Sequence, residues 1–126
     1  MKGEEAVSRS DKRILIVEDQ YLIAADLSRA LTKLGCVVVG PVASNEAARE
    51  HLAHSSIDFA FLDISLDEQL VFSLADELER RGIPFAFATG HGVRILPERF
   101  KSKLCLEKPL TMQAVREAVR QLNRAR

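Results

Sequence analysis

Short apolar runs punctuate the chain, and each is followed by a longer stretch in which apolar and polar residues mix. The runs are continuous rather than alternating in hydrophobicity, which is typical of β-strands that are covered on both faces. They lie at residues 14–17, 36–39, 57–62, 85–88 and 104–106, and Gly40-Pro41 should close the second. The pattern therefore predicts five buried strands.

The mixed stretches between the runs carry apolar residues at helical spacing. Ser44 and Thr111 are suitable N-terminal caps for the second and the last helix. Gly35 and Gly82 are suitable residues to end the first and the third. The segment 90–102 is the least regular, because its glycines and a proline limit any helix to a turn or two.

Strict alternation of strands and helices predicts an α/β fold, a doubly wound five-stranded parallel sheet with helices on both faces. The fourth helix should be short and irregular. A length of 126 residues indicates one domain. We expect it to span residues 12–124, after a disordered polar leader at residues 1–11, with no second domain.

Composition excludes several classes of function. Lys plus Arg and Asp plus Glu number 18 each, which argues against DNA binding by a generally basic surface. No apolar stretch approaches the roughly 20 residues that span a bilayer, and the polar N-terminus has no signal-peptide character, so we expect a cytoplasmic chain without membrane insertion. Cys36 and Cys105 lack metal-ligand spacing and are expected to be small core residues without a disulfide.

Polar residues that carry chemistry stand at the ends of four predicted strands. Glu18 and Asp19 follow the first strand, Asp63 follows the third, Thr89 the fourth and Lys108 the fifth. The carboxyl ends of parallel strands share one edge of the sheet, where ligands bind. This edge would gather three carboxylates, a hydroxyl and an ammonium, a set that suits phosphoryl transfer to an aspartate assisted by Mg²⁺.

Each of these signals also has a simpler interpretation. The acid pair alone suits a helix N-terminus, Asp63 alone suits a turn, Thr89-Gly90 suits a strand-end turn, and Lys108-Pro109 is common in loops. Four separate coincidences at four strand ends are less plausible than one site, so we favour the site.

The chemistry assigns a role to each group. Mg²⁺ prefers oxygen ligands, which Asp19 and Asp63 supply, with Glu18 acting directly or through a water. Lys108 would pair with a phosphate oxygen as a point charge. The hydroxyl of Thr89 would hydrogen-bond another oxygen, with help from the amide of the adjacent Gly90.

This constellation resembles the receiver domain of bacterial two-component response regulators, over about residues 12–124. The resemblance implies the flavodoxin-like strand order 2-1-3-4-5. It also implies that Asp63 accepts a phosphoryl group from a histidine kinase or a phosphotransfer protein, and that Mg²⁺ is the cofactor. By position, Glu18-Asp19 is the acid pair, Thr89 the switch hydroxyl, Lys108 the phosphate-contacting lysine, and the backbone carbonyl of Ser65 the third metal ligand.

Residues 84–92, with the sequence PFAFATGHG, are similar to the FAT GUY receivers, which are often stand-alone proteins that pair with kinases of the HWE or related HisKA2 type. His91 occupies a position that influences phosphoaspartate hydrolysis in receivers, although a solvated loop histidine remains the alternative. Cys105 stands where most receivers have a Tyr or Phe. We therefore expect signal relay to depend on Thr89 and on the segment 90–102.

Two classes of function remain open. The first is a single-domain signalling receiver that catalyses only its own phosphorylation and dephosphorylation, and that acts by binding a downstream protein or as a phosphate sink. The alternative is an adaptor module that works without phosphate. A phosphatase for small molecules is disfavoured because Ser65 stands where a second acid is needed. A flavin-binding protein is disfavoured because Glu18-Asp19 replaces a phosphate-cradling loop.

Overall fold

The computed structural model describes residues 11–64, 68–90 and 96–125. The strands in these ranges are β1 (Arg13–Val17), β2 (Val37–Val42), β3 (Phe59–Asp63), β4 (Phe85–Thr89) and β5 (Cys105–Glu107). The α-helices are α1 (Tyr21–Lys33), α2 (Asn45–His54), α3 (Glu68–Arg80) and α4 (Met112–Arg124). A 3₁₀ turn, Glu98–Phe100, precedes β5.

All strand pairs are parallel, and the order across the sheet is β2-β1-β3-β4-β5. The predicted doubly wound, flavodoxin-like fold is therefore confirmed. The register aligns the carboxyl ends of the central strands. Val17 lies beside Leu62, and Asp63 lies beside Ala88 one step further along. The residues that follow β1, β3 and β4 consequently meet at one edge of the sheet.

Two hydrophobic cores cover the sheet, one on each face. We call them the α1–α4 face and the α2–α3 face after the helices that pack there. Alternate strand residues point to opposite faces. On the α1–α4 face the strands contribute Ile14, Ile16, Phe59, Phe61 and Ala86. On the α2–α3 face they contribute Leu15, Val17, Ala60, Leu62, Phe85 and Phe87.

The prediction that Gly40-Pro41 closes the second strand is wrong. Strand β2 continues to Val42, whose carbonyl accepts a hydrogen bond of 2.9 Å from the amide of Glu18. Proline is tolerated here because β2 is an edge strand, where an amide on the outer side needs no partner in the sheet. The left-handed conformation of Gly40, with φ of +96°, accompanies a shift in the β1–β2 register.

The third strand begins two residues later than predicted, at Phe59. Asp58 instead lies at the start of the sheet, where its carboxylate accepts a hydrogen bond of 2.8 Å from the amide of Arg13. At their other ends, β3 stops on Asp63 and β4 stops on Thr89.

The predicted helix ends agree with the structure. The hydroxyls of Ser44 and Thr111 accept hydrogen bonds of 3.1 Å and 3.0 Å from the third amide of their helices. Gly35 and Gly82 follow α1 and α3 with positive φ.

Some predictions lie partly or wholly outside the described residues. The leader up to residue 10 does, as do residues 91–95 of the irregular segment 90–102. What is described of that segment contains one 3₁₀ turn, where the sequence predicted a short helix. Within the described ranges, no helix is both long and apolar enough to cross a membrane. Cys36 is buried and Cys105 is half-buried.

Candidate functional site

Glu18, Asp63, Thr89 and Lys108 stand at the aligned ends of β1, β3, β4 and β5. The residues two positions before Glu18, Asp63 and Lys108 pack on the α1–α4 face. The residue two positions before Thr89 packs on the α2–α3 face. Since strand side chains alternate with a period of two, Thr89 belongs to the opposite face from the other three. The site thus spans both cores of the molecule.

An ion-pair network joins three of these residues. The ammonium of Lys108 lies 3.0 Å from Oε1 of Glu18 and 3.0 Å from Oδ1 of Asp63. The side chains are 10%, 3% and 0% exposed, in the order Lys108, Glu18, Asp63. Buried charges of opposite sign attract one another more strongly than exposed ones, because water screens them less. The lysine therefore acts as the internal counter-ion of the two buried acids.

Burial and neighbouring charges shift two pKa values in this network. Burial raises the pKa of Glu18, and the nearby Asp63 raises it further, while Lys108 and the amide of Gln20 oppose the shift without cancelling it. Burial alone would lower the pKa of Lys108, but its hydrogen bonds to Glu18 and Asp63 outweigh that effect and raise it. Lys108 therefore stays charged at neutral pH, and Glu18 loses its proton at a higher pH than an exposed glutamate does.

Glu18, Asp19 and Asp63 form an acidic cluster whose ligand oxygens all lie within 4.8 Å of one another. Asp19 is exposed, whereas the other two are buried. Three carboxylates against one ammonium leave an excess of negative charge, which a divalent cation would neutralise. Mg²⁺ takes oxygen ligands and usually keeps several waters, so an all-carboxylate cluster with one exposed member fits this ion.

Thr89 lies at the end of β4. Its side chain is buried, and its backbone carbonyl accepts a hydrogen bond of 2.9 Å from the amide of Lys108. The next residue, Gly90, leaves open space, because a Cβ added there would meet no atom within 4 Å. Its φ is not positive, so the backbone conformation does not require a glycine at this position.

Of the residues that the sequence singled out, the structure brings together Glu18, Asp19, Asp63 and Lys108. It places Thr89 at the end of the neighbouring strand β4. Ser65 and His91 lie outside the described residues. Cys105 is half-buried, and it packs with the α2–α3 core rather than beside Lys108. Burial raises the pKa of the Cys105 thiol, and Glu107 adds to the shift.

Sequence reasoning missed two features. One is the direct bond of Lys108 to Glu18, since the sequence assigned this lysine only to a phosphate. The other is a cluster of phenylalanine rings beneath Thr89 that includes Phe87 and Phe100. Phe100 follows Pro97 in an irregular segment, where no periodicity marks a residue as buried.

Comparisons with known proteins agree with this geometry. The family model of the response regulator receiver domain matches residues 14–120. The solution structure of SdrG from Sphingomonas melonis Fr1 is 36% identical with a TM-score of 0.78, and the alignment covers 89% of this chain and 96% of SdrG. A BeF3-activated conformation of SdrG, from Pseudomonas melonis Fr1, is 38% identical, with a TM-score of 0.77 and coverage of 87% and 94%.

A response regulator receiver protein from Sinorhizobium medicae WSM419 is 28% identical, with a TM-score of 0.72 and coverage of 91% and 97%. No curated protein sequence shows significant similarity to the chain. Receiver domains in general are signalling phosphoacceptors that interact with histidine kinases or phosphotransfer proteins and bind Mg²⁺ through acidic residues. The family model matches most of the length of this chain, and the acidic cluster at the strand ends agrees with it. The chain therefore belongs to the response regulator receiver domain family.

Proposed function

We propose that this receiver accepts a phosphoryl group on Asp63 with the help of Mg²⁺, and that it signals in the cytoplasm through contact with another protein. One observation supports this most strongly. The buried carboxylate of Asp63 lies 3.0 Å from the ammonium of Lys108 within an acidic cluster at the carboxyl edge of the sheet. A nucleophile, a counter-ion for phosphate and a cation site are thereby adjacent.

In the proposed reaction a carboxylate oxygen of Asp63 attacks the phosphorus of the donor. The bond from phosphorus to the donor's histidine nitrogen breaks, and its electron pair returns to the imidazole. The product is an aspartyl phosphate, which has more negative charge than the carboxylate it replaces. Lys108 is already beside Asp63 and would pair with a phosphate oxygen. The hydroxyl of Thr89 and the amide of Gly90 would bind another.

Glu18, Asp19 and Asp63 would hold the Mg²⁺, together with the backbone carbonyl of Ser65, which lies outside the described residues. When bound, the ion would neutralise charge that develops on the transferred phosphoryl group. Phosphoryl transfer requires little more of a protein than positioning and charge stabilisation. The chain supplies both with residues fixed at strand ends.

We further propose that the donor is a histidine kinase of the HWE or related HisKA2 type, or a phosphotransfer protein. The PFAFATGHG sequence at residues 84–92 supports membership of the FAT GUY subgroup. His91 would influence how long the phosphoryl group persists. The output would be a downstream protein that docks on the phosphorylated surface, or a drain of phosphoryl groups from a shared kinase. We expect no direct binding to DNA.

Phosphorylation by acetyl phosphate tests this function. The purified protein should be labelled when Mg²⁺ is present and not when EDTA replaces it. The substitution Asp63→Asn should abolish labelling, because an amide is a far weaker nucleophile. Asp26→Asn is the matched control, since Asp26 is an exposed aspartate on α1 that pairs with Arg29 and does not belong to the acidic cluster. It should be labelled like the wild type.

Full labelling of Asp63→Asn would refute the acceptor assignment. No labelling of the wild type, from acetyl phosphate or from any histidine kinase of the source organism, would instead favour the adaptor that works without phosphate. Circular dichroism of each variant must match the wild type, so that loss of labelling reports on chemistry and not on folding.

A further inference from the structure

Among Glu18, Asp63, Thr89 and Lys108, strand alternation places only Thr89 on the α2–α3 face. Phe85 and Phe87 precede it at intervals of two on the same strand and pack into that core. Because alternate residues of a strand share a face, the side chain of Thr89 continues the row that these two rings begin. A change in the position of Phe87 would therefore shift the end of β4 two residues further on, where Thr89 lies.

Four phenylalanine rings pack together in this core. Phe100 contacts Phe87 at a centroid distance of 5.4 Å, Phe72 at 5.6 Å and Phe85 at 6.0 Å. Phe72 also meets Phe87 edge-on at 5.8 Å. Ring pairs at these distances gain energy from their geometry in addition to burial. Phe100 touches all three of the other rings, so its position constrains the whole cluster.

Phe100 comes from the 3₁₀ turn rather than from a strand or an α-helix, and it is 2% exposed. Its neighbour Arg99 fixes the turn to α3 through two parallel hydrogen bonds to Asp76, of 2.9 Å and 3.0 Å. The guanidinium also lies 4.6 Å from the centre of the Phe100 ring. The turn is thus held at a defined place on α3, with its ring inserted against β4.

The strand next to β4 does not supply a ring at this level. Cys105 of β5 is the register partner of Phe87 and packs against the same core, but it is small and only half-buried. In the described part of the chain, the aromatic contact to Phe87 from beyond its own strand comes from Phe100 and Phe72.

We propose that Phe100 is a positioning residue for Thr89, acting through Phe87. The ring of Phe100 holds Phe87 in place, and Phe87 in turn fixes the end of β4, where the hydroxyl must meet a phosphate oxygen. Conversely, a phosphoryl group bound by Thr89 shifts the turn Glu98–Phe100 through the contact between Phe87 and Phe100. This inference rests on the proposed function of the site, because it concerns how Thr89 recognises the phosphoryl group.

Binding of beryllofluoride with Mg²⁺, an analogue of the phosphoryl group, measures the effect without turnover. Phe100→Leu should weaken binding about fivefold or more, a typical coupling between two sites. Phe59→Leu is the matched control. Phe59 is equally buried but lies in the core of the α1–α4 face, and its loss should leave the affinity unchanged in folded protein.

A double-mutant cycle separates positioning from a general loosening of the fold. If Phe100 acts through the Thr89 hydroxyl, Phe100→Leu should have no further effect on affinity in a Thr89→Ala background. Contacting groups are non-additive in this way, whereas independent effects add. An equal loss of affinity in both backgrounds would overturn the proposal, and so would wild-type affinity in Phe100→Leu itself.

A second measurement needs no core substitution. In wild-type protein labelled with fluorophenylalanine, the ¹⁹F signals of Phe100 and Phe87 should shift when beryllofluoride binds, while that of Phe59 should not. An unshifted Phe100 signal in beryllofluoride-bound protein would refute the coupling. Failure of the wild type to bind beryllofluoride at all, or unchanged binding by Asp63→Asn, would instead refute the proposed function, so the two failures are distinguishable.

Discussion

Lys108→Met should destabilise the protein far more than removal of an exposed lysine. The substitution keeps an unbranched side chain of similar length but removes the ammonium, which lies 3.0 Å from both Glu18 and Asp63. Breaking a buried ion pair by removing one partner costs about 3 to 5 kcal/mol, because a charge remains buried without compensation. Here two carboxylates would remain, so we expect about 3 kcal/mol or more at neutral pH without metal.

Lys103→Met is the matched control. Lys103 pairs with Glu79 at 2.9 Å, but its side chain is 30% exposed and that of Glu79 is 55% exposed. Ion pairs of this kind contribute about 1 kcal/mol or less. Urea unfolding followed by circular dichroism, in EDTA at neutral pH, gives the free energy of unfolding of each variant.

The dependence on pH and metal identifies the source of the effect. Burial raises the pKa of Glu18, so stability falls as the pH rises between its unfolded and folded pKa values, where the folded state binds more protons. The pKa of Lys108 is raised in the folded state. Its contribution to folding stability is therefore fully present at every pH below the pKa that this lysine has in the unfolded chain. The difference in free energy of unfolding between Lys108→Met and the wild type should therefore narrow as the pH is lowered towards the raised pKa of Glu18. It should also narrow when Mg²⁺ is added.

Equal losses of unfolding free energy in Lys108→Met and Lys103→Met would refute this reasoning. A large loss that is insensitive to both pH and Mg²⁺ would also contradict it, because the penalty would then come from packing and not from unbalanced charge.

Three further outcomes are expected. Gly40→Ala should lower the free energy of unfolding by more than about 1 kcal/mol, since φ is +96° and the added Cβ would lie 2.9 Å from a backbone nitrogen; Gly90→Ala meets nothing and should change stability by less than about 0.5 kcal/mol in the same urea assay. Thr111→Ala removes the 3.0 Å N-cap bond of α4 and should cost about 1 kcal/mol by urea unfolding. Cys105, whose pKa burial raises, should react with iodoacetamide at pH 8 more slowly than a free thiol peptide, as followed by mass spectrometry.

Much of the fold follows from local signals in the sequence. Continuous apolar runs marked all five strands because both faces of the sheet are covered, and hydroxyl caps marked the starts of two helices. The ends of the strands were predicted less accurately. Proline at position 41 looked like the end of a strand, but β2 lies at the sheet edge and continues past it, and edge position is a property of the whole fold.

The site was predictable because its residues stand at strand ends, and parallel topology brings strand ends together. The pairing of Lys108 with Glu18 was not, because it depends on the depth of burial and on the register of strands that are 90 residues apart in sequence. The placement of Thr89 on the opposite face from Asp63 follows from strand alternation, once the residue at which each strand ends is known.

Phe100 shows what local patterns cannot reveal. It lies in a segment without periodicity and is buried only because a 3₁₀ turn places its ring against three others. Such a contact depends on tertiary packing, and no pattern among the residues nearby in sequence indicates it.

Chemical mapping of the phosphorylated residue tests directly whether Asp63 is the phosphoacceptor. The protein is incubated with acetyl phosphate and Mg²⁺, the aspartyl phosphate is reduced with borohydride to homoserine, and peptide mass spectrometry locates the modified position. We expect homoserine at position 63 alone, and only when both Mg²⁺ and the phosphodonor are present. Homoserine at position 19 or elsewhere, or at position 63 to the same extent in EDTA, would contradict it.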